Sequence, residues 1–338
     1  MAMTKCKECG QSFDKKGTGV CPHCGAKIRH AAEKQHYVWA HYLKAWATDN
    51  TIYCLRDGKI ITPNPEKIAR ETEFYKLTEL TPEEIAYLER FVSGQHELLR
   101  SINLRWIRLF VKLFAVRRAQ IEQGAPVEEI ARRFEPLIAG LYEKFHGKLE
   151  TWAVDYFASL RKGDASFFNN PEIRANFLYF VSLQYTRTNN ARSRLTSFSS
   201  PFDGVSAGNM FHIMSQIMAT SIGHKMFVED RQMYLLRAGA KETFITGDQP
   251  AVNIKATHLP DSEKIEAFDL YYPVSPRIAI LLAMEPPDDS GLSDDAVREY
   301  NRHIQWHSHK MLFAHDREAL TPFMPAQRLD GEAVAAEL

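Results

Sequence analysis

The stretch Phe244-Ile-Thr-Gly-Asp-Gln-Pro250 decides how the fold is interpreted. Its apolar start predicts a short strand that ends at Thr246, Gly247 permits a tight turn, and Pro250 stops the backbone from continuing in a ladder. An Asp at the end of a buried strand is held at a surface crevice, which suits a catalytic or ligand-binding carboxylate. Asp248 therefore has two interpretations: a functional carboxylate, or a residue that caps its own turn through an Asx hydrogen bond.

The composition is that of an ordinary globular protein. The 338 residues are 45% hydrophobic and 25% charged, and Lys+Arg and Asp+Glu are both 42. Because there is no global basic field, any contact with nucleic acid must come from local basic patches. No stretch stays apolar and uncharged over the roughly 18 residues that a membrane helix needs, and the first residues lack the apolar segment of a signal peptide. We therefore expect a cytoplasmic protein without membrane contact.

Two cysteine knuckles near the N-terminus predict a metal site. Cys6-Lys-Glu-Cys9 and Cys21-Pro-His-Cys24 are each followed by a glycine, which lets the backbone bend under a metal. Four thiolates match the tetrahedral preference of Zn²⁺ and leave no position open for substrate, so residues 1–30 are predicted to form a zinc ribbon with structural Zn²⁺. A redox dithiol pair and an iron–sulfur centre are the alternatives. Such a ribbon could grip nucleic acid, contact a partner protein or cover the N-terminus.

The segment from residue 35 to 61 predicts a short helix followed by a hairpin. Trp39, Tyr42 and Trp46 have the spacing of a buried helix. His36 would then lie at the helix N-terminus, where the dipole lowers a histidine pKa and favours a neutral ring that can act as a base or contact nucleic acid. The alternative is a core histidine that donates to a carbonyl. Residues 51–61 predict a β-hairpin with an Asp-Gly turn.

From residue 66 to 160 the pattern is almost entirely helical. Thr81-Pro82-Glu83-Glu84 is a helix start with a capping box. In the following helix an apolar stripe is predicted to face the core, with arginines on a solvated edge. The stripe consists of Leu99, Ile102, Trp106, Leu109, Leu113 and Val116. The basic edge is one patch through which nucleic acid could bind.

A helix that begins at Asn170-Pro171 is apolar on most of its faces, which is typical of a buried helix. Gln184 and Arg187 follow at its end, so both are predicted to emerge in the interior. A buried guanidinium needs a counter-charge, for which Asp248 or an anionic substrate is the candidate. The alternative is a purely structural Arg–carboxylate pair. The polar residues 188–209 predict a mobile loop beside this site.

Short strands are predicted between residues 233 and 284, and a final helix from Ser293 to Met311 carries Asn301 on or near its buried face. The predicted fold class is mainly helical α+β. It comprises a helical core, a small antiparallel sheet built from the 51–61 hairpin and the 233–284 strands, and the N-terminal ribbon. The predicted divisions are residues 1–30, residues 31–325 and a flexible tail at 326–338.

Several of these pieces together resemble the bacterial family called domain of unknown function 4238. The family's opening signature is similar to Gln35-His36-Tyr37-Val38…Tyr42-Leu43, with Trp39 and Trp46 in place of the usual Pro and Phe. Further similar motifs are Gln184-Tyr-Thr-Arg187-Thr188, Phe244 to Pro250, Pro273-Val-Ser-Pro276, and Asn301 in the last helix. The resemblance covers about residues 35–315 and carries no activity with it. It implies that His36, Gln184, Arg187, Asp248 and Asn301 converge.

A site of His, Arg, Gln and Asp has the parts for hydrolysis of a phosphate-bearing substrate. Asp248 or His36 would act as the base, Arg187 would stabilise charge on phosphate oxygens, and Gln184 would orient substrate or water. The leading hypothesis is a nucleic-acid-directed hydrolase acting on phosphodiester or glycosidic bonds, most simply a metal-independent nuclease of bacterial defence or toxin type. The alternative is a non-enzymatic module in which the ribbon and the helical core bind nucleic acid or protein. Neither the substrate nor the oligomeric state is indicated by the sequence.

Overall fold

The computed structural model describes residues 3–5, 9–14, 23–24, 34–197, 204–256, 267–287 and 291–325. The helices are α1 (Ala40–Leu43), α2 (Pro82–Ser93), α3 (Glu97–Glu122), α4 (Val127–Arg161), α5 (Pro171–Thr186), α6 (Asn189–Ser197), α7 (Ala207–Val228) and α8 (Asp294–His307). Together with short antiparallel strands they confirm the predicted mainly helical α+β class. Within the described ranges, no helix combines the length and the apolar character needed to cross a bilayer.

The strands before the helical region are β1 (Met3–Lys5), β2 (Ser12–Asp14), β3 (Lys34–His36), β4 (Tyr53–Arg56), β5 (Lys59–Ile61) and β6 (Arg70–Thr72). Those after it are β7 (Gln232–Arg237), β8 (Thr246–Gly247), β9 (Val252–Asn253), β10 (Leu270–Pro273), β11 (Ile278–Ala283) and β12 (Met311–Ala314). Two sheets of four strands have the orders β7-β11-β10-β9 and β5-β4-β12-β8. The predicted single sheet is therefore wrong, because the β4–β5 hairpin and the strands of residues 232–283 mostly lie in different sheets.

Strand β12 forms the centre of the second sheet, which the sequence did not predict. The final helix ends at His307, and Met311, which was expected to continue it, begins a strand between β4 and β8. All residues of β12 are buried. A strand buried on both faces shows no alternation of polar and apolar residues, so its short apolar run fits the end of a helix equally well.

Helix α3 buries a different face from the one predicted. Its buried residues are Leu99, Asn103, Ile107, Phe110 and Phe114. Ile102, Leu109 and Val116, which were expected in the core, have 40%, 51% and 38% of their surface exposed. The helix is apolar on two faces. On the buried face, Asn103 Nδ2 donates a hydrogen bond to Oε1 of Gln95, which lies just before the helix (2.7 Å). Periodicity alone could not choose between the two faces.

The predicted loop after residue 187 begins with helix α6 instead. The Oγ1 atom of Thr188 accepts a hydrogen bond from the amide of Ala191 at 3.2 Å, which is the arrangement of a helix N-cap. At the N-terminus, β1 and β2 pair in antiparallel register. Cys6 and Cys21 of the predicted ribbon lie outside the described residues, as does the predicted tail at 326–338.

Candidate functional site

The segment from Phe244 to Pro250 lies where distant parts of the chain meet. Trp46 Nε1 donates to the carbonyl of Phe244 at 2.8 Å. Thr246 Oγ1 lies 2.6 Å from the hydroxyl of Tyr42, whose own proton goes to the carbonyl of Pro273 at 2.8 Å. All these atoms are buried, where a hydrogen bond replaces water. The aromatic segment at residues 39–46 therefore fixes the position of this strand.

Asn301 holds the same strand from the other side. Its Oδ1 accepts from the amide of Ile245 at 2.9 Å, and its Nδ2 donates to the carbonyl of Thr243 at 2.8 Å. Asn301 is buried as predicted. Because both ends of its side-chain amide are occupied by backbone, it positions the strand and is not placed to bind a substrate.

Asp248 also binds backbone. Its Oδ1 and Oδ2 accept from the amides of His309 and Lys310 at 2.7 and 2.9 Å, and the residue is 1% exposed. Burial raises the pKa of this carboxyl, and the amide groups oppose that shift. Asp248 thus fixes the turn that leads into β12, and not its own turn. A Cβ on Gly247 would overlap Ser308 Oγ, so glycine is needed there for this close approach.

Gln249 joins this segment to the end of α5. Its Nε2 donates to the carbonyl of Tyr185 at 3.0 Å, and its Oε1 accepts from the hydroxyl of Thr188. The two motifs predicted to meet therefore do meet. They touch through Gln249 and Thr188, which follow the predicted site residues Asp248 and Arg187 in the sequence.

Arg187 is paired with Glu150 on α4, and the predicted partner Asp248 is wrong. Its Nη2 donates to Glu150 Oε1 at 2.5 Å and to Gln184 Oε1 at 2.8 Å. The Arg187 side chain is 1% exposed and that of Glu150 is 18% exposed. Burial raises the pKa of Glu150, which Arg187 opposes. Burial lowers the pKa of Arg187, but neighbouring groups, Glu150 among them, reverse this and the net direction is upward. The guanidinium therefore stays charged.

Around Arg187 lies a set of buried polar atoms that have no hydrogen-bond partner among the described residues. They are Nε and Nη1 of Arg187, Nε2 of Gln184, both ring nitrogens of His146, and the hydroxyl of Tyr272. We call these four residues with Glu150 the Arg187 cluster. The pKa of His146 is lowered well below its ordinary value by burial and by the charge of Arg187, so its ring is neutral. Each buried donor without an acceptor costs about 1–3 kcal/mol, and a set rich in donors favours a ligand rich in acceptors.

His36 lies apart from the position predicted for it. It belongs to strand β3, and the helix begins only at Ala40, so a place at the helix N-terminus is wrong. Its Nε2 lies 3.1 Å from the carbonyl of Glu66 and must donate to it. Burial is the largest cause that lowers the pKa of His36, and Arg187 contributes. This geometry matches the alternative prediction, a histidine that donates to a carbonyl. Arg187 is near enough to contribute to the lowered pKa of His36.

The sequence of α4 carries a signal that Glu150 and His146 are part of a buried site. Tyr142, His146 and Glu150 follow one another at steps of four on α4, and the stripe continues to buried Phe157. Ionisable residues on the buried stripe of an amphipathic helix need partners. Among the described residues no group of three or more His, Cys, Asp or Glu is arranged to hold a metal.

The fold and this cluster define an α+β domain with a charged site enclosed by helices and one strand. The family described as "Protein of unknown function (DUF4238)" matches residues 34–318, and the chain belongs to that family. No curated protein and no solved structure matches the chain.

Proposed function

We propose that this protein is a cytoplasmic, nucleic-acid-directed hydrolase, a nuclease-like effector of bacterial defence or toxin type, whose Arg187 cluster binds a phosphate group. One observation carries the proposal: several buried donors that have no acceptor among the described residues surround a charged guanidinium. Phosphate oxygens are the acceptors that such a fork of N–H groups recognises. Bound there, the guanidinium also stabilises the negative charge that develops on those oxygens during hydrolysis.

We assign proton transfer to a residue other than Asp248 and His36, the two bases that the sequence predicted. Both carboxylate oxygens of Asp248 accept backbone amides and the residue is 1% exposed, so we do not assign it as the base. Glu150 is held ionised by Arg187, is partly exposed, and has a pKa raised by burial, a combination that suits a general base. The neutral ring of His146 offers one donor and one acceptor and orients the attacking water. Gln184 orients the phosphate through its Nε2.

The ribbon and a basic surface supply contacts with the target. We propose that Cys6, Cys9, Cys21 and Cys24 hold a structural Zn²⁺. Strands β1 and β2 flank the first knuckle, and Gly10 has a φ of 74°, as a turn under a metal requires. Helix α3 exposes Arg105, Arg108 and Lys112 at steps of three and four, which places them on one side. That side would contact the nucleic-acid backbone, and the ribbon would bind the target or a partner protein.

The non-enzymatic binding module is kept as the second candidate because of Asp248 and Asn301. Both belong to the residues that the family resemblance singled out, and both are occupied in holding backbone. Motifs that serve the fold in this way are compatible with a protein whose only activity is binding.

Induced expression in a bacterial host, followed by incubation of purified protein with RNA and DNA, tests the proposal. The variants are Arg187→Met, Glu150→Gln and the control Arg302→Met, which removes an exposed ion pair with Glu299. Growth arrest and fragmented nucleic acid in the wild type and the control, lost in folded Arg187→Met and Glu150→Gln, support the hydrolase and identify its polymer. Intact nucleic acid with purified wild type, together with retained binding, supports the binding module.

A further inference from the structure

Glu150 accepts hydrogen bonds from only some of the N–H groups of Arg187. A guanidinium carries five N–H groups, and the two on Nη2 are used by Glu150 and Gln184. Those on Nε and Nη1 have no partner in the described part of the chain. A carboxylate that fully matches an arginine binds two of its nitrogens side by side. Glu150 contacts one nitrogen.

The partnerless donors and Glu150 differ in exposure. The orphaned atoms of Arg187, Gln184 and Tyr272 are all inaccessible, whereas the Glu150 side chain is 18% exposed. Glu150 is therefore the part of the cluster that borders solvent, and an entering anion meets it first. Any such anion competes with this carboxylate for the same guanidinium.

We propose that Glu150 is a displaceable counter-ion, which neutralises Arg187 until the terminal phosphate of a nucleotide or of a nucleic-acid end takes its place. This rests on the proposed function, because it takes a phosphate-bearing substrate as the ligand. A terminal phosphate offers three oxygens and enters end on, so once Glu150 leaves it can accept from Nη2 and one adjacent nitrogen of Arg187, side by side, and from Gln184 Nε2.

The arrangement has a consequence that a purely structural ion pair lacks. If Glu150 competes with the ligand, its removal must tighten ligand binding. If Glu150 only stabilises Arg187, its removal leaves binding unchanged or weakens it. The sign of the change in affinity therefore separates the two roles.

Isothermal titration of the full-length protein tests this with inorganic phosphate, adenosine 5′-monophosphate and, as a probe without phosphate, adenosine. The variants are Glu150→Gln and the matched control Glu135→Gln, on the same helix, whose side chain is 51% exposed and lies 3.9 Å from Arg117. Glu150→Gln should bind both phosphate probes about 5- to 150-fold more tightly than wild type, the usual range of coupling between two sites. Glu135→Gln should equal wild type, and adenosine alone should not bind.

Unchanged or weaker phosphate affinity in folded Glu150→Gln overturns the proposal, as does the absence of binding in wild type and variant alike. Should Glu150→Gln fail to fold, Glu150→Ala replaces it, because it removes the carboxylate altogether, and the same tightening is expected. Binding needs no turnover, so the outcomes stay distinct from those of the hydrolase test. Tight phosphate binding without nucleic-acid cleavage refutes the hydrolase alone, and cleavage without the tightening refutes the displaceable counter-ion alone.

Discussion

Replacing Asp248 by Asn tests whether this carboxylate holds backbone or takes part in chemistry. The side chain is buried, and its two oxygens accept from the amides of His309 and Lys310 at 2.7 and 2.9 Å. Asn has nearly the same shape, but it offers one acceptor oxygen and places an NH₂ group where the second oxygen was. One backbone amide therefore keeps a neutral acceptor, and the other faces a donor.

The expected loss of folding stability follows from these two contacts. The amide that keeps an oxygen loses the charge assistance of the carboxylate, about 1 kcal/mol. The amide that faces NH₂ becomes a buried, unsatisfied donor, which costs about 1–3 kcal/mol. Since Asp248 is 1% exposed, water cannot replace the lost acceptor. Asp248→Asn should thus lower the free energy of unfolding by about 2–4 kcal/mol.

Urea unfolding followed by circular dichroism measures this loss. With a slope of about 3 kcal/mol per molar, the midpoint should fall by about 1 M. The control is Asp57→Asn, at a hairpin turn where the side chain is 85% exposed and φ is 51°, a conformation that Asn tolerates. We expect a change within about 0.5 kcal/mol there. If Asp248→Asn is as stable as the control but abolishes activity, the carboxylate is catalytic and the reasoning is refuted.

Three further predictions concern other parts of the chain. Gly247→Ala should lower the free energy of unfolding by about 1–3 kcal/mol, because the added Cβ overlaps Ser308 Oγ. Ser308→Gly in the same chain should recover part of that loss, and an equal cost in both backgrounds would contradict the overlap. Stability should also fall in acid, since burial lowers the pKa of His212 to about 3 from 6.5. The unfolded chain then binds more protons than the folded one, so the stabilisation is complete above about pH 6.5 and is lost toward pH 3. The loss at pH 5 is about 2 kcal/mol for this group, and urea titrations should show a smaller difference between pH 7 and pH 5 in His212→Leu. Finally, metal analysis of the full chain should find about one Zn²⁺ per protein, and Cys9→Ser should reduce it without moving the urea midpoint of residues 34–325; an unchanged zinc content would place the metal elsewhere.

Local chemistry was sufficient to predict the helices and the hairpin whose boundaries depend on a few neighbouring residues. Thr81 and Asn170 accept from the amides of Glu84 and Glu172, and each is followed by Pro at the first helical position, as their sequences indicate. The β4–β5 hairpin turns at Asp57 and Gly58, both with positive φ. Such signals involve residues a few positions apart, so no tertiary information is needed to interpret them.

Pairings across the chain were not predictable in the same way. The apolar faces of α5 were sufficient to predict that Gln184 and Arg187 are buried. The sequence does not indicate which of the 42 acidic residues supplies the counter-charge for Arg187. Glu150 lies on a different helix, and Asp248, the better-looking candidate, is occupied by backbone amides whose positions depend on β12. The choice of partner is thus set by how helices and sheets pack, which one sequence does not contain.

The contacts of Tyr42 with Thr246 span 204 residues, and the bond between Trp46 and Phe244 spans 198. At translation rates of about 5–20 residues per second, the first partner leaves the ribosome some 10–40 s before the second. Helices α3 and α4 are able to form in that interval, whereas β4 must wait for β12 with its edge unpaired. The nascent chain therefore presents two large aromatic side chains until residues 244–246 emerge, and an open strand edge until residues 311–314 emerge. In this period it depends most on chaperones.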